Sequence, residues 1–401
     1  METLRRTGWV THERYYWHDS GLEGPGSPHM QPRPSSETPE SKRRLANLVA
    51  ACPLGDALTP LKPRPATAEE VLLVHTPAYL AQMQAASASA SGGYVGHELH
   101  LGPRGYDIAA LSCGGVLAAM EAVLAGRVHN AYALVRPPGH HAERDRGHGF
   151  CAIDNVAVAA EVALKAHGLA RVAIVDIDVH HGNGPEQAFY ERADVLYVSL
   201  HQDGLYPLDT GAASASGKGA GAGYNVNCPL PPGCGIGAYA AAFDRVVEPA
   251  LRAFKPELIL VSCGFDAAFL DPLGRMLLTA ADFGELTRRL RVCAEELCGG
   301  KLVYCHEGGY SEVCVRAWRC CSGGLFVLTL CALLYTLPMH ARRYVPFCGV
   351  AVLEELIGGK SGVEDPYALD VGSDRWTRTC LPHQAAEIAR AAETLKIALL
   401  K

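Results

Sequence analysis

Three residues in this sequence have the types and the spacing to hold one divalent metal ion. Asp178 and His180 stand two apart in the run DIDVHHGNG (176–184), and Asp266 closes the short run GFD (264–266). Residues two apart on an extended segment point to the same face, so Asp178 and His180 are expected to present their donors together. One imidazole and two carboxylates leave a coordination position open, as a catalytic zinc requires. Such an ion polarises a carbonyl and acidifies its bound water. Any one Asp at a strand end serves equally well as a helix or turn cap; the combination is what points to metal chemistry.

The tandem pair His140–His141 follows Arg-Pro-Pro-Gly (136–139), a turn with little slack. Two neighbouring imidazoles beside a metal suit proton transfer, one taking a proton from water while the other is held charged or oriented. Each needs an acceptor for its second ring nitrogen, and Asp176 and Asn183 are the candidates. In Glu307-Gly308-Gly309-Tyr310 the glycines give a flexible backbone able to aim a phenol at a developing oxyanion. Gly149-Phe150 and Tyr206 supply aromatic walls for a narrow apolar channel, suited to a linear acyl-amide chain.

Those residues need a scaffold that brings them to one place. Short apolar segments, Ala131–Val135, Val172–Asp176, Val195–Leu200, Leu258–Cys263 and Leu302–Cys305, read as buried parallel strands. Helical stretches at Asn155–His167, Gly235–Ala253 and Ala280–Cys298 alternate with them, which implies one α/β unit with a parallel sheet. Ligands in such sheets bind beyond the carboxyl ends of the strands. The His- and Asp-rich runs begin just there, at four separate strand ends. Ser20–Glu40, Ser87–Gly93 and Gly211–Gly223 are rich in Gly, Ser, Ala or Pro and read as loops.

Composition narrows the classes. The 401 residues are 49% hydrophobic and 19% charged, which excludes wholesale disorder and coiled coil. With 36 basic and 42 acidic residues the formal charge is −6, so no overall basic field argues for nucleic-acid or membrane partners. Fifteen cysteines without a C-x-x-C pair speak against a disulfide framework and for a reducing compartment. The first twenty residues lack the apolar core of a secretory signal, and Leu325–Leu337 is too short to span a bilayer. The expectation is a soluble intracellular protein, cytoplasmic with nuclear entry open; Lys42-Arg43-Arg44 is too short to serve as a localisation signal.

The ordered series RPPGHH (136–141), GHGFCAIDN (147–155), DIDVHHGNG (176–184), SLH (199–201), GFDAAFLDPLGRM (264–276) and EGGYSEV (307–313) resembles the zinc-dependent histone deacetylase family. The match runs from about Trp9 to Gly358 and is most similar to the class II branch and the bacterial histone deacetylase-like amidohydrolases; Asn183 supports that branch. The resemblance implies a single-domain arginase/deacetylase α/β fold, with a central parallel sheet of about eight strands flanked by helices. It implies zinc on Asp178, His180 and Asp266, His140 and His141 as the proton-handling pair, and Tyr310 as the oxyanion donor. It also implies a structural potassium on Asp176, Asp178, His180, Ser199 and Leu200, and acetylated protein lysines as substrate partners. Arg44 matches, loosely, a buried arginine of the family near the product channel.

Three positions qualify the resemblance. The family usually has Asn where this chain has Asp154, a site expected behind the channel wall and without consequence for the chemistry. Its polyamine-selective members carry a glutamate where this chain has Leu273, so Leu273 on the channel rim favours acyl-lysine. Between Val313 and Tyr344 lie thirty residues, CVRAWRCCSGGLFVLTLCALLYTLPMHARR, with four of the fifteen cysteines. Their removal gives SEVYVPFCG, which matches the family pattern without a gap, as a retained intron translated in frame would explain. The expected organisation is one deacetylase domain with its core at 9–313 and 344–370, the 314–343 segment atypical, and a helical tail at 371–401. Two readings stand beside lysine deacetylation: hydrolysis of a small acyl-amide or acetylpolyamine, and a non-catalytic acyl-lysine-binding protein. A two-manganese arginase-like enzyme is a poorer fit, because it calls for more carboxylates than these motifs offer.

Overall fold

The computed structural model describes residues 4–20, 36–311, 344–366, 368 and 375–398. The thirty-residue segment at 314–343, together with most of the Ser20–Glu40 stretch, therefore lies outside the described residues. Eight strands form one sheet: β1 (Thr7–Val10), β2 (Leu58–Pro60), β5 (Asn130–Ala133), β7 (Val172–Asp176), β8 (Val195–Gln202), β9 (Asn225–Leu230), β10 (Leu258–Cys263) and β11 (Leu302–His306). Their order across the sheet is β2-β1-β5-β11-β10-β7-β8-β9, and every neighbouring pair is parallel. A small second sheet pairs β4 (Leu99–Leu101), β3 (Gly93–His97) and β6 (Gly147–His148).

The sheet is buried on both faces because successive side chains alternate between two apolar layers. In β7, Ala173 and Val175 join one core cluster while Val172 and Ile174 join the other. The helix Gly105–Leu124 packs in the second layer; it is apolar and long enough to cross a membrane, but 83% of its most apolar window is buried in the core. On the opposite face lie Ala280–Cys298 and Val345–Ile357, and the helix Pro382–Ala398 of the expected C-terminal tail packs on β9 through Ile388, Ala391 and Leu395.

The expected strands are present with shifts of a residue or two at their ends, and Ala280–Cys298 is a helix over its whole expected length. The stretch Gly235–Ala253 differs in detail. Its two α-helical halves, Ile236–Ala242 and Glu248–Phe254, are joined by a π-helical turn at Phe243–Val247. Ser20–Glu40 does not stay irregular to its end: Thr38 caps a helix that begins at Pro39, because Pro is well suited to a first helical turn and Thr to the cap. The strands β5, β11, β10 and β7 are consecutive in the sheet, so the loops leaving their carboxyl ends converge on one spot.

Candidate active site

Asp178, His180 and Asp266 come together as expected, each offering a ligand atom within 4.8 Å of the others, and all three are buried. The local reason differs from the one the spacing suggested. β7 ends at Asp176, and Asp178–His180 form a bend rather than an extended run. Asp176 Oδ1 accepts the amide of Asp178 (3.1 Å) and Asp178 Oδ1 accepts the amide of His180 (2.9 Å), so carboxylates bonded to the backbone two residues on hold the bend. From β10, Asp266 reaches across and accepts the Val179 amide at 2.9 Å. Gly264 and Gly308 make room: a Cβ on either would lie 1.9–2.1 Å from a carboxylate oxygen of Asp178 or Asp266.

His180 Nδ1 lies 3.0 Å from Asp178 Oδ1 and 3.1 Å from Asp266 Oδ2. Burial pulls its basicity down, but the two carboxylates outweigh that and hold it up to about 10. Burial and the Asp178 charge push Asp266 up to about 6, while His140 and His180 overcome the burial of Asp178 and hold it below the usual carboxylate range. A proton on His180 thus occupies the place between two carboxylates where a metal cation would sit. The donor set, one imidazole and two buried carboxylates on the two connections that follow β7 and β10, fits a divalent ion such as zinc.

The turn after β5 delivers the histidine pair. Arg136–Pro137 is cis, and Glu307, from the end of β11, accepts the amides of Gly139 (2.7 Å) and His140 (3.2 Å). The two rings lie 4.0 Å apart between centroids and meet the expected partners: His140 Nδ1 with Asp176 Oδ2 at 3.1 Å, His141 Nδ1 with Asn183 Oδ1 at 2.9 Å. Their environments differ. Burial opposes charge on His140, but Asp178 and Asp176 outweigh it and raise its basicity well above the ordinary imidazole range. Burial, His140 and His180 hold His141 well below that range.

A cavity of about 420 Å³ opens onto these groups, lined by His141, His180, Gly149, Phe150, Leu205, Tyr206, Leu273, Tyr310, Glu98 and Ser36. All four expected channel residues, Gly149, Phe150, Tyr206 and Leu273, are in its wall. Gly149 has φ +46°, and a Cβ there would come within 2.7 Å of both His141 and Tyr206, so only glycine fits between those rings. Tyr310 is 5% exposed and its ring centroid lies 6.3 Å from that of His180. Burial and the Asp266 and Asp178 carboxylates keep its phenol protonated by raising it well above its ordinary range.

The segment carrying Tyr310 is not the flexible tether its glycines suggested. Gly308 donates to Asp178 Oδ2 (2.9 Å), its carbonyl accepts from Phe265, and the Tyr310 amide donates to Asp271 Oδ2 (2.6 Å). Asp271 also accepts the Leu273 amide at 2.9 Å, so one buried carboxyl sets both the phenol and the rim leucine. The sequence offered Asp271 only as part of the run GFDAAFLDPLGRM (264–276).

Behind Tyr310 lies a buried ionic group that sequence reasoning missed. Lys42 Nζ is 5.8 Å from the Tyr310 ring centroid and 2.9 Å from Glu37, which pairs with Arg136 at 2.8 Å. Arg136 also donates to the carbonyls of Tyr15 and His18. Arg44 is not the buried arginine: its side chain is 35% exposed and faces Glu40 at 3.9 Å, one helical turn away. Lys42 projects inward from the same helix, which the run Lys-Arg-Arg could not reveal without its phase against the core. Of the potassium set, Asp176 and Ser199 face each other in register across β7 and β8, and the Ser199 hydroxyl bonds His201 Nδ1 at 2.9 Å.

Comparison with known proteins agrees with this geometry. The Histone deacetylase domain matches residues 36–324. The chain is 44% identical over 368 residues to the histone deacetylase-like amidohydrolase of Pseudomonas aeruginosa, covering 90% of this chain and 89% of that protein. It is 38% identical over 310 residues to a probable deacetylase of Archaeoglobus fulgidus, covering 76% and 81%. A mouse polyamine deacetylase is 42% identical over 257 residues, 61% of this chain and 38% of that one. The solved structure of the HDA15 HD domain superposes with a TM-score of 0.74 at 30% identity, over 98% of each chain. With its parallel sheet, its strand-end cluster and these relatives, the chain belongs to the histone deacetylase family.

Proposed function

We propose that this protein is a zinc-dependent hydrolase of acyl-lysine amides in proteins. The observation that carries this reading is the convergence, at the buried end of one cavity, of the Asp178–His180–Asp266 donors, the neutral imidazole of His141 and the phenol of Tyr310. When bound to those donors, zinc supplies Lewis acidity toward the amide carbonyl and acidifies a water. His141 lines the cavity with its Nδ1–H committed to the Asn183 carbonyl, which leaves Nε2 free to take a proton from that water and return it to the leaving amine. His140 stays charged against Asp176 and stabilises negative charge that builds beside it. The Tyr310 hydroxyl, kept protonated, donates to the oxygen on which the charge develops. Phe150, Tyr206 and Leu273 exclude water around the aliphatic stem of the acyl-lysine.

Structural potassium on Asp176, Asp178, His180, Ser199 and Leu200 belongs to the same proposal, as do acetylated proteins as partners and a cytoplasmic or nuclear location. A second reading, acetylpolyamine hydrolysis, has one observation in its favour: the carboxylate of Glu98 lines the cavity and can meet a distal ammonium group. Acetate release measured side by side from acetyl-lysine peptides and acetylspermidine, with and without chelator, tests both. Chelator-sensitive turnover that prefers the peptide supports the proposal; a much higher kcat/KM for acetylspermidine overturns its substrate, and turnover indifferent to exhaustive chelation overturns its metal.

A further inference from the structure

Asp154 was expected to lie inert behind the channel wall, and the structure instead sets it against the histidine turn. It is fully buried at the start of the helix Asn155–Lys165, where Oδ1 accepts the Ala157 amide at 3.0 Å. Its own amide donates to His75 Nε2 (2.9 Å), and His75 Nδ1 meets the Glu143 carbonyl (2.9 Å). That pattern puts the one ring proton on Nδ1, so His75 is neutral and offers the carboxyl no countercharge; burial holds its basicity down, to about 4.

The other oxygen, Oδ2, is buried without a hydrogen-bond partner among the described residues. Its neighbours are acceptors. A Cβ built on Gly184 would lie 2.7 Å from Asp154 Oδ2, 2.9 Å from the His140 carbonyl oxygen and 2.5 Å from that of Ala142, so the three oxygens crowd around one point. The Gly184 amide is already spent on the His140 carbonyl at 3.0 Å. An ionised carboxylate here would have carbonyl oxygens nearby and no N–H bonded to Oδ2; one proton on Oδ2 makes it a donor toward those acceptors.

We propose that Asp154 is kept as an uncharged carboxylic acid whose Oδ2–H donates to the carbonyl edge of the His140–Ala142 segment, making it a positioning residue for the histidine pair. The positioning role rests on the reading that His140 and His141 serve the reaction; the uncharged state does not. The surrounding charges agree. Burial first, then Glu307 and Asp176, push the Asp154 carboxyl well above its ordinary range, against the Ala157 amide and His140. The remaining titratable neighbours, Cys113, Cys151 and Cys305, are thiols held protonated by burial. Where the family usually has Asn, whose amide carries a donor at all pH values, Asp must keep its proton to do the same work.

The test compares the wild-type chain with Asp154→Asn and Asp154→Leu. A wild-type minus Asp154→Asn infrared difference spectrum near neutral pH should show a protonated-carboxyl C=O stretching band that shifts in D₂O; its absence overturns the uncharged state. Thermal unfolding gives a second reading. A carboxyl raised in the folded chain contributes stability that is lost as pH climbs from the unfolded value, about 4, through the folded one. The Tm advantage of Asp154→Asn should therefore grow over that rise, and a constant difference contradicts the proposal. In turnover, Asp154→Leu should lower kcat roughly 10–100-fold with zinc retained and KM little changed, as loss of a supporting partner does, while Asp154→Asn should recover most of it. Equal impairment in both variants overturns the positioning role. If Asp154→Leu fails to fold, the infrared and unfolding comparisons still decide the charge state, and the kcat of Asp154→Asn decides positioning: a loss as large as that expected of Asp154→Leu overturns it. Neither the infrared nor the unfolding comparison needs an active enzyme.

Discussion

The cluster at the ends of β7 and β10 and the turn after β5 bury polar groups side by side, yet they settle their charge in different ways. In the cluster two carboxylates share one imidazole, and even a protonated His180 leaves the three groups net negative. Burying such an excess costs several kcal/mol per unpaired ion unless a cation joins it. The turn finds its partners within the protein, and through His140 it shares the Asp178 charge at 3.8 Å. His140 has the Asp176 carboxylate, His141 has the neutral Asn183 amide, and Glu307 accepts two backbone amides while burial pushes it up to about 7. One region keeps an excess of negative charge that a divalent cation would balance; the other holds two imidazoles of opposite charge preference side by side.

The sharpest way to break this comparison is to remove one cluster carboxylate. Asp266→Ala leaves two ligands and should lose both zinc and turnover, with metal analysis of the purified variant as the check. Full zinc occupancy in Asp266→Ala would mean that the cluster's charge is not balanced by this metal. Next in size is Tyr310→Phe, which touches neither region's charge. It should keep zinc and the fold and lose about 10²–10³ in kcat; wild-type turnover would remove Tyr310 from the reaction.

The histidine turn can be pushed toward the cluster's electrostatics with a single atom. Asn183→Asp gives His141 the kind of partner His140 already has, and an opposite charge at hydrogen-bond distance raises an imidazole by about 1–3 pH units. In the proposed reaction His141 is the neutral base, and burial with the His140 and His180 charges holds its basicity well below the ordinary imidazole range. In Asn183→Asp the acidic limb of kcat/KM should therefore move to higher pH, with the loss of activity largest on the acid side of the optimum and smallest on its alkaline side. An unmoved acidic limb would show that His141 is not the group titrating there.

How much of this was legible in the sequence follows the same division. The cluster and the turn were found because their residues fall just beyond apolar β-segments, where an α/β sheet places its ligands. The sheet itself was readable because each strand is short, β-branched and flanked by turn residues. What escaped was whatever depends on helix phase or on a distant acceptor. Lys42 reads as one of three basic residues until the helix Pro39–Ala51 turns it toward Glu37 and Tyr310. Asp271 has no role of its own in the run GFDAAFLDPLGRM until the Tyr310 amide arrives from 39 positions away. The edge strands β2 and β9, and β1 beside β2, escape such a reading because three to six residues carry too little pattern.

A smaller effect is expected at the rim. Leu273, fixed by Asp271, lines the cavity and offers no partner to a distal ammonium. Leu273→Glu should shift kcat/KM from acetyl-lysine peptide toward acetylspermidine by roughly tenfold, the scale of one specific charge contact. No change in the ratio would place selectivity elsewhere in the wall, with Glu98 as the next residue to vary.

The smallest effect concerns the segment between the two halves of the described chain. Ser311 Oγ accepts the amides of both Tyr344 and Val345 at 3.1 Å, so the two ends of the interruption are hydrogen-bonded neighbours. Tyr344 is itself buried, packed on Phe269, and its hydroxyl accepts the Ala280 amide at 2.7 Å. These contacts are made by residues on either side of 314–343, and two residues, Glu312 and Val313, suffice to span so short a gap. Removing Cys314–Arg343 should therefore leave zinc content and kcat/KM unchanged. It should also raise stability by up to about 2 kcal/mol, since loop-closure cost falls by about 0.6 kcal/mol for each halving of loop length. It removes the apolar run Leu325–Leu337 as well, so the shortened protein should be the more soluble. If the shortened form loses activity while the full chain keeps it, the segment belongs to the working enzyme, and the contact between Ser311 and Tyr344 is not enough to close the fold behind Tyr310.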